Sequence, residues 1–334
     1  MSKEWSSDDI LELARSYQPT CVLAAAAELD LFSVLANGPL SAAEVVDKLG
    51  TQLRATTVLL DALAALELIE KRNRRYVLPA AAARVLTEAG PAGVLSMVRH
   101  QANCMRRWTQ LASVIRTNRP AERQPSVRGE AGDEASFIGA MDVASAPVAW
   151  ELMKELKQLA FKHLLDIGGA SGTWTVAFLH DRPDATAMVF DLPHVIPMAE
   201  QRISEARMHD RVELVAGDFL VDPLPPGADL AWVSAIVHQN SREENRRLLS
   251  AVAEALNDEG QILVRDVLMD SSRTSPVAGA LFAVNMLVAT EAGGTFTFDE
   301  LQEDLEAAGF ADVVVLRRDA GMNSIIHAVK PRKA

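Results

Sequence analysis

The sequence predicts an α/β protein: a doubly wound, mainly parallel sheet that closes with an antiparallel strand pair, preceded by a mainly helical unit of winged-helix type. Three observations carry this. From residue 164 onward, short apolar runs alternate with amphipathic helical stretches, the pattern of strands joined by crossover helices. Residues 161–172, FKHLLDIGGASG, lead a buried strand into a helix through a glycine-rich turn. Ahead of them, residues 10–78 offer helical periods followed by a hairpin.

A chain of 334 residues is long for one core and comfortable for two domains. Its formal charge of −12 argues against a nucleic-acid or anionic-membrane partner, because both demand a basic face, and favours a small-molecule partner. Residues 1–9 are polar and acidic, without the basic and apolar regions of a signal peptide. The most apolar early run, residues 21–29, is short and contains Glu28, so it cannot span a bilayer. Two cysteines, Cys21 and Cys104, make neither a disulfide framework nor a metal site. A soluble cytoplasmic protein is expected.

Residues 10–35 read as one or two helices, with Leu11, Leu13, Val22, Leu23, Leu29, Phe32 and Leu35 near helical spacing. Ser41 and Glu44 form an S-x-x-E capping box before a short helix that ends near Gly50. A third helix covers 53–66, and residues 69–78 form a hairpin bent at 72–75, which completes a winged helix. The would-be recognition helix carries Arg54 against Asp61, Glu67 and Glu70, so it belongs in a core or an interface. Lys71, Arg72, Arg74 and Arg75 at the hairpin tip are the features that favour DNA. Residues 97–117 are expected as one helix, 118–134 as a loop rich in Pro, Gly and charge, and 137–159 as a helix leading into the sheet. Strands are expected at 164–167, 186–190, 212–216, 230–233 and 262–264, with helices at 173–180, 195–206 and 241–256. The tail offers a helix near 299–308 and two runs, 313–316 and 325–329, whose short connection permits an antiparallel pair.

A glycine turn between a strand and a helix N-terminus makes a cradle whose amides and dipole favour a polar or anionic ligand group. No register of Gly168, Gly169, Ala170, Ser171 and Gly172 supplies the dinucleotide pattern G-x-G-x-x-G, which disfavours a nicotinamide dehydrogenase. What stands instead is Asp166 followed by Gly168, Ala170 and Gly172 at alternate positions. Asp191 ends the second strand, where an acid accepts hydrogen bonds from ribose hydroxyls; a helix cap before Leu192 and Pro193 is the other reading. Gly217, Asp218 and Phe219 end the third strand, either as a carboxylate for the adenine amine beside a flanking ring or as a strand-closing turn. His238 follows the fourth strand at the edge where open α/β sheets bind ligands, and a neutral imidazole there takes a proton from a hydroxyl near neutral pH. Asp266 closes the fifth strand at that edge. It either accepts the second ring proton of the histidine or serves as a cap or surface acid.

These residues together resemble the small-molecule O-methyltransferases of the plant caffeate and acetylserotonin type and their bacterial natural-product relatives, which are class I S-adenosylmethionine-dependent enzymes. LLDIGGASG is similar to their cofactor loop, FDLP to their ribose acid and AGDF to their adenine site. SAIVHQNSREENRRLLSAVAEALNDEGQILVRD is similar to the segment from catalytic base to second acid, and AGGTFTFDELQEDLEAAGF to the closing helix. The resemblance covers nearly the whole chain and implies a Rossmann-like domain at 161–334, a winged-helix dimerisation domain at 1–95 and connecting helices at 96–160 that contribute to the acceptor pocket. It makes His238 the general base and Asp266 its partner. It places Asp166, Gly168, Gly172, Asp191, Leu192, Gly217, Asp218, Phe219 and Ser234 around S-adenosyl-L-methionine, and Met105, Trp108, Phe137, Met141 and Met286 around the acceptor, some of them across a homodimer. The chain departs from the family at three places: Gln239 and Asn240 follow the histidine instead of Asp-Trp, Ser234 stands where a basic residue is common, and Phe296 replaces an acid after the paired glycines.

The expected activity is therefore methyl transfer from S-adenosylmethionine to a hydroxyl of a small aromatic or polyketide-like secondary metabolite, by direct displacement and without a metal. Methylation at carbon or nitrogen, and a ligand-binding winged-helix regulator, are the alternatives.

Overall fold

The computed structural model describes residues 4–332 except 89 and 91. The chain divides into two compact units, one of residues 1–106 and 123–144, the other of residues 107–122 and 145–334.

The first unit opens with helices α1 (Ser7–Arg15), α2 (Tyr17–Glu28) and α3 (Leu31–Leu35). Residues 10–35 thus hold three helices rather than one or two. Asp30 sits in the left-handed region (φ 57°) and ends the second before the third begins. Helix α1 buries none of its residues, and Ile10, Leu11 and Leu13 are exposed. After strand β1 (Leu40–Ser41), helix α4 (Ala42–Leu49) starts on the expected box. The Ser41 N–H donates to the Glu44 carboxylate at 2.7 Å, and the Glu44 N–H donates back to Ser41 Oγ at 3.3 Å. Helix α5 (Leu53–Ala65) follows, then strands β2 (Glu70–Arg72) and β3 (Arg75–Val77), whose two-residue turn places both Asn73 and Arg74 at positive φ, as a tight hairpin requires. Strand β3 also pairs with β1, completing the wing, and Leu31, Phe32, Leu60, Leu63 and Tyr76 fill the core.

The wing tip is not a free basic patch. Lys71 pairs with Asp61 at 2.5 Å, Arg72 with Glu70, and Arg75 with Glu44 at 2.9 Å. Three of the four cations that favoured DNA are thereby matched with acids, which removes most of the field that phosphate binding needs.

Helices α6 (Ala80–Leu86), α7 (Leu95–Trp108), α8 (Leu111–Thr117) and α9 (Gly129–Glu155) come next, and the division between the units falls inside α7 and α9. The single helix expected at 97–117 is two. Gln110 leaves helical geometry, and its side-chain amide grips the backbone of Glu122, donating to the carbonyl at 2.9 Å and accepting from the N–H at 3.0 Å. The loop expected at 118–134 ends early. Ser126 donates its N–H to buried Asp133 at 2.9 Å and shares its hydroxyl with the same carboxylate, which starts α9 at Gly129.

In the second unit, strands β4 (His163–Ile167), β5 (Thr186–Asp191), β6 (Val212–Ala216), β7 (Ala228–Ser234) and β8 (Leu256–Asp266) are parallel. Helices α10 (Thr173–His180), α11 (Ile196–Glu205) and α12 (Arg242–Ala255) connect them. A two-residue strand β9 (Leu268–Met269), helix α13 (Val277–Ala289), strand β10 (Phe296–Thr297) and helix α14 (Phe298–Ala307) precede the closing strands β11 (Ala311–Arg317) and β12 (Ser324–Val329). The sheet runs β11-β12-β8-β7-β4-β5-β6, with β12 antiparallel to β11 as expected and antiparallel to β8 as well. Leu165, Val233, Val264 and Leu249 pack one face, and Leu164, Phe178, Trp232 and Leu263 the other.

The order reverses at β4, whose neighbours are β5 on one side and β7 on the other. That switch opens a crevice at the carboxyl ends of β4 and β7, the place where sheets of this kind receive ligands.

Candidate active site

The glycine turn sits at this switch point. Gly168 (φ 65°), Ala170 (φ 47°) and Gly172 (φ 73°) all adopt left-handed backbone, so the chain doubles back between β4 and α10. A Cβ on Gly168 would lie 2.5 Å from Ile236 Cδ1, and one on Gly217 would lie 2.4 Å from the buried ring of Phe190. The backbone is thus close-packed from behind at both positions.

Asp166 lies beneath the turn and is buried. It accepts the Thr175 hydroxyl at 2.6 Å, which ties the strand to the first turns of α10. Burial pushes its carboxyl up to about 7; the charge of Asp191 adds to this and the Thr175 hydroxyl opposes it. Asp166 therefore shapes the turn from below. Asp191 faces the turn from the end of β5. It accepts the N–H of Ala170 at 2.8 Å and that of Leu192 at 2.7 Å, so one carboxylate joins the glycine turn to the next strand end. Burial raises its pKa, and the two N–H donors pull the other way. Each of its oxygens retains a second lone pair for a hydroxyl donor. The cap-like bond to Leu192 and a ribose role are compatible on these atoms.

Gly217 donates its N–H to the Asp191 carbonyl at 2.9 Å, which places Asp218 at the same edge. Asp218 accepts the Leu220 N–H on Oδ1 at 2.9 Å, and Phe219 packs against the core under the sheet. Ser234 ends β7 one residue beyond the Ile167–Val233 pair, which sets it beside Gly168, and it accepts a hydrogen bond from Arg265 at 3.0 Å.

His238 occupies a short 3₁₀ turn, Val237–Gln239, after β7. Its Nδ1 stands 2.9 Å from both carboxylate oxygens of Asp266, and both residues are buried. An ionised carboxylate only accepts, so Nδ1 carries the proton and Nε2 is left as the basic atom. The main chain fixes the same pair: Asp266 Oδ1 accepts the Val267 N–H at 2.7 Å, and the His238 carbonyl accepts the Gly294 N–H at 2.9 Å. The paired glycines belong here because a Cβ on Gly293 would lie 2.5 Å from the His238 carbonyl oxygen.

Sequence reasoning missed helix α13 and with it two neighbours of the site. Phe282 meets the His238 ring edge-on, with centroids 4.8 Å apart at 81°. Asn285 accepts the Trp108 indole N–H at 2.9 Å. Residues 277–289 are almost uniformly apolar, so they carry no amphipathic period by which to find the helix.

The five expected acceptor residues divide between the units. Trp108 and buried Met286 belong to the second, where Met286 lies one turn from Phe282 on α13. Met105, Phe137 and Met141 belong to the first. There Phe137 is 47% exposed with its ring against His100 (5.3 Å between centroids), and Met105 Sδ lies 3.9 Å from Cys21 Sγ. Phe296 is buried among Leu268, Leu301 and Leu305, so this position is core.

A groove of about 430 Å³ at the opposite edge of the sheet, lined by His163, Thr186, His209 and Arg211, is wide open. It faces the amino ends of the parallel strands, away from the helix N-terminus and the dyad, and the carboxyl edge is the better site on both counts. Among the described residues, no three His, Cys, Asp or Glu side chains converge as a metal site, and no helix is long and apolar enough to cross a membrane.

Residues 126–311 match the model of the O-methyltransferase domain, and residues 11–88 that of the O-methyltransferase dimerisation domain. The chain belongs to the O-methyltransferase family. It is 32% identical to 3-hydroxy-5-methyl-1-naphthoate 3-O-methyltransferase of Streptomyces sahachiroi, over 96% of this chain and 94% of that one. It is 30% identical to the N,N-dimethyltransferase OxyT of Streptomyces rimosus, over 96% of each. Among solved structures, human N-acetylserotonin methyltransferase in complex with S-adenosylmethionine superposes with a TM-score of 0.82 at 26% identity, covering 99% of this chain and all of that one. The family's methyl donor is S-adenosylmethionine, and the left-handed turn at Gly168–Gly172 fits its methionine end while the acid Asp191 across the turn fits its ribose.

Proposed function

We propose that this O-methyltransferase acts on a hydroxyl of a small fused aromatic or polyketide-like metabolite, with His238 as general base. The observation that carries the proposal is the buried His238–Asp266 pair, 2.9 Å apart, at the carboxyl edge beside the glycine turn. When bound, S-adenosylmethionine supplies an electrophilic methyl on its sulfonium. The residues Asp191 and Asp218 accept hydrogen bonds from ribose hydroxyls and the adenine amine, while the turn at Gly168–Gly172 holds the methionine end. His238 Nε2 takes the acceptor's proton, and Asp266 holds the opposite ring proton and stabilises the imidazolium that forms. Phe282 packs the imidazole edge-on and helps to keep water from it. The acceptor class follows from the naphthoate named for the Streptomyces sahachiroi relative.

The OxyT relative favours a second reading, an amine acceptor, whose proton His238 would also take. Hydroxy- and amino-substituted naphthoates incubated with methyl-¹³C donor separate the two, because product NMR distinguishes O-methyl from N-methyl. His238→Ala is expected to lower the rate about 100-fold or more, and retention of activity within a few-fold overturns the base assignment.

The enzyme works as a homodimer through its first unit. Support comes from the dimerisation-domain match and from α1, whose apolar residues lie uncovered in one chain.

A further inference from the structure

One buried charge at the carboxyl edge makes no ion pair among the described residues. Arg265 is 3% exposed, yet no carboxylate among the described residues lies within 4 Å of its guanidinium. Its partners are neutral: Asn323 Oδ1 accepts from Nε at 3.0 Å and Nη2 at 2.6 Å, Ser234 Oγ accepts from Nη1 at 3.0 Å, and the Trp174 ring lies 4.6 Å beneath the guanidinium carbon. Two acids act on it from farther away, Asp266, which is engaged by His238, and Asp319, which accepts the N–H groups of Gly321 and Asn323. Burial pulls its pKa down to about 10. A cation removed from water in this way is costly unless an anion faces it.

Ser234 shows where that anion comes. A guanidinium only donates, so the bond from Arg265 consumes a lone pair of Ser234 Oγ and turns the hydroxyl hydrogen away from it. No acceptor for that hydrogen is present among the described residues, and Ser234 is partly exposed at the end of β7, beside Gly168. The site therefore presents a polarised O–H donor backed by a positive charge.

We propose that Arg265 is a positioning residue of the donor site: through the Ser234 hydroxyl it receives the α-carboxylate of the donor's methionine moiety. This rests on the reading that the glycine turn holds S-adenosylmethionine. That carboxylate is the donor's one anionic group, whereas its sulfonium and amine are cationic and are repelled here.

Calorimetric titration of the full-length protein tests this with S-adenosylhomocysteine and its decarboxylated analogue, S-adenosyl-3-thiopropylamine. Arg265→Met keeps an aliphatic stem over Trp174, and Ser234→Ala is the milder change should the first variant not fold. Each is expected to weaken S-adenosylhomocysteine by about 10-fold or more and the decarboxylated analogue by less than about 3-fold. Equal weakening of the two ligands in Ser234→Ala, or of neither, overturns the proposal, because a purely structural role cannot tell them apart. Wild-type protein that binds neither ligand overturns the S-adenosylmethionine reading itself.

Discussion

Replacing Asp266 by Asn probes the catalytic pair with little change of shape. The carboxylate is buried, meets His238 Nδ1 at 2.9 Å, and accepts the Val267 N–H at 2.7 Å. An amide fills the same volume but carries no charge, and in one rotamer it donates to Nδ1, which moves the proton to Nε2 and leaves no base. When His238 has taken a proton, the charge centres of the native pair are about 4 Å apart, worth roughly 4 kcal/mol at an effective dielectric of about 20. At about 1.4 kcal/mol per factor of ten, losing that stabilisation predicts a fall of about 10³-fold in kcat/KM. The assay is transfer of labelled methyl to a hydroxynaphthoate accepted by the wild type, run beside a titration of S-adenosylhomocysteine, whose affinity is expected to stay within about 3-fold. A folded Asp266→Asn protein with a rate within about 5-fold of wild type refutes the argument that this carboxylate stabilises the imidazolium.

Asp166 makes stability depend on pH. Its folded pKa of about 7 stands above the ordinary 3.8, so the folded chain holds a proton that the unfolded chain releases. Its favourable contribution is complete below about pH 4 and is lost as pH rises to 7, a swing on the order of 4 kcal/mol. Urea unfolding of Asp166→Asn at pH 5 and 7.5 is expected to show the variant gaining on wild type at the higher pH; an equal difference at both pH values contradicts this. Gly217→Ala forces a methyl to within 2.4 Å of the buried Phe190 ring, an overpacking cost of about 1–3 kcal/mol. A lowered thermal midpoint together with weaker S-adenosylhomocysteine binding is expected, and an unchanged midpoint would show that the ring yields freely.

Most of the sheet was legible because parallel strands buried on both faces are short apolar blocks, and those at 164–167, 186–190 and 212–216 emerge within a residue of their expected bounds. The capping box at Ser41 and Glu44 was legible because its whole chemistry lies within four residues. Local signals failed where a distant partner intervenes. Gln110 breaks a helix by holding Glu122, and Asp133 starts one by holding Ser126. Strand β8 extends through the polar residues 257–260, which carry no apolar mark of a strand.

The site divides along the same line. Residue order alone established that an acid, a glycine turn, two further acids and a histidine stand at successive strand ends, because each such motif is local and the crossover connection dictates which edge it occupies. The pairing of His238 with Asp266 was anticipated from their places at neighbouring strand ends, but other contacts between strands and helices far apart in the chain were beyond its reach: the Phe282 ring on the edge of His238, the Asp191 carboxylate bound to the glycine turn, and the guanidinium of Arg265 behind Ser234. Which side chains meet there depends on strand register and helix placement, and these are properties of the packed core as a whole.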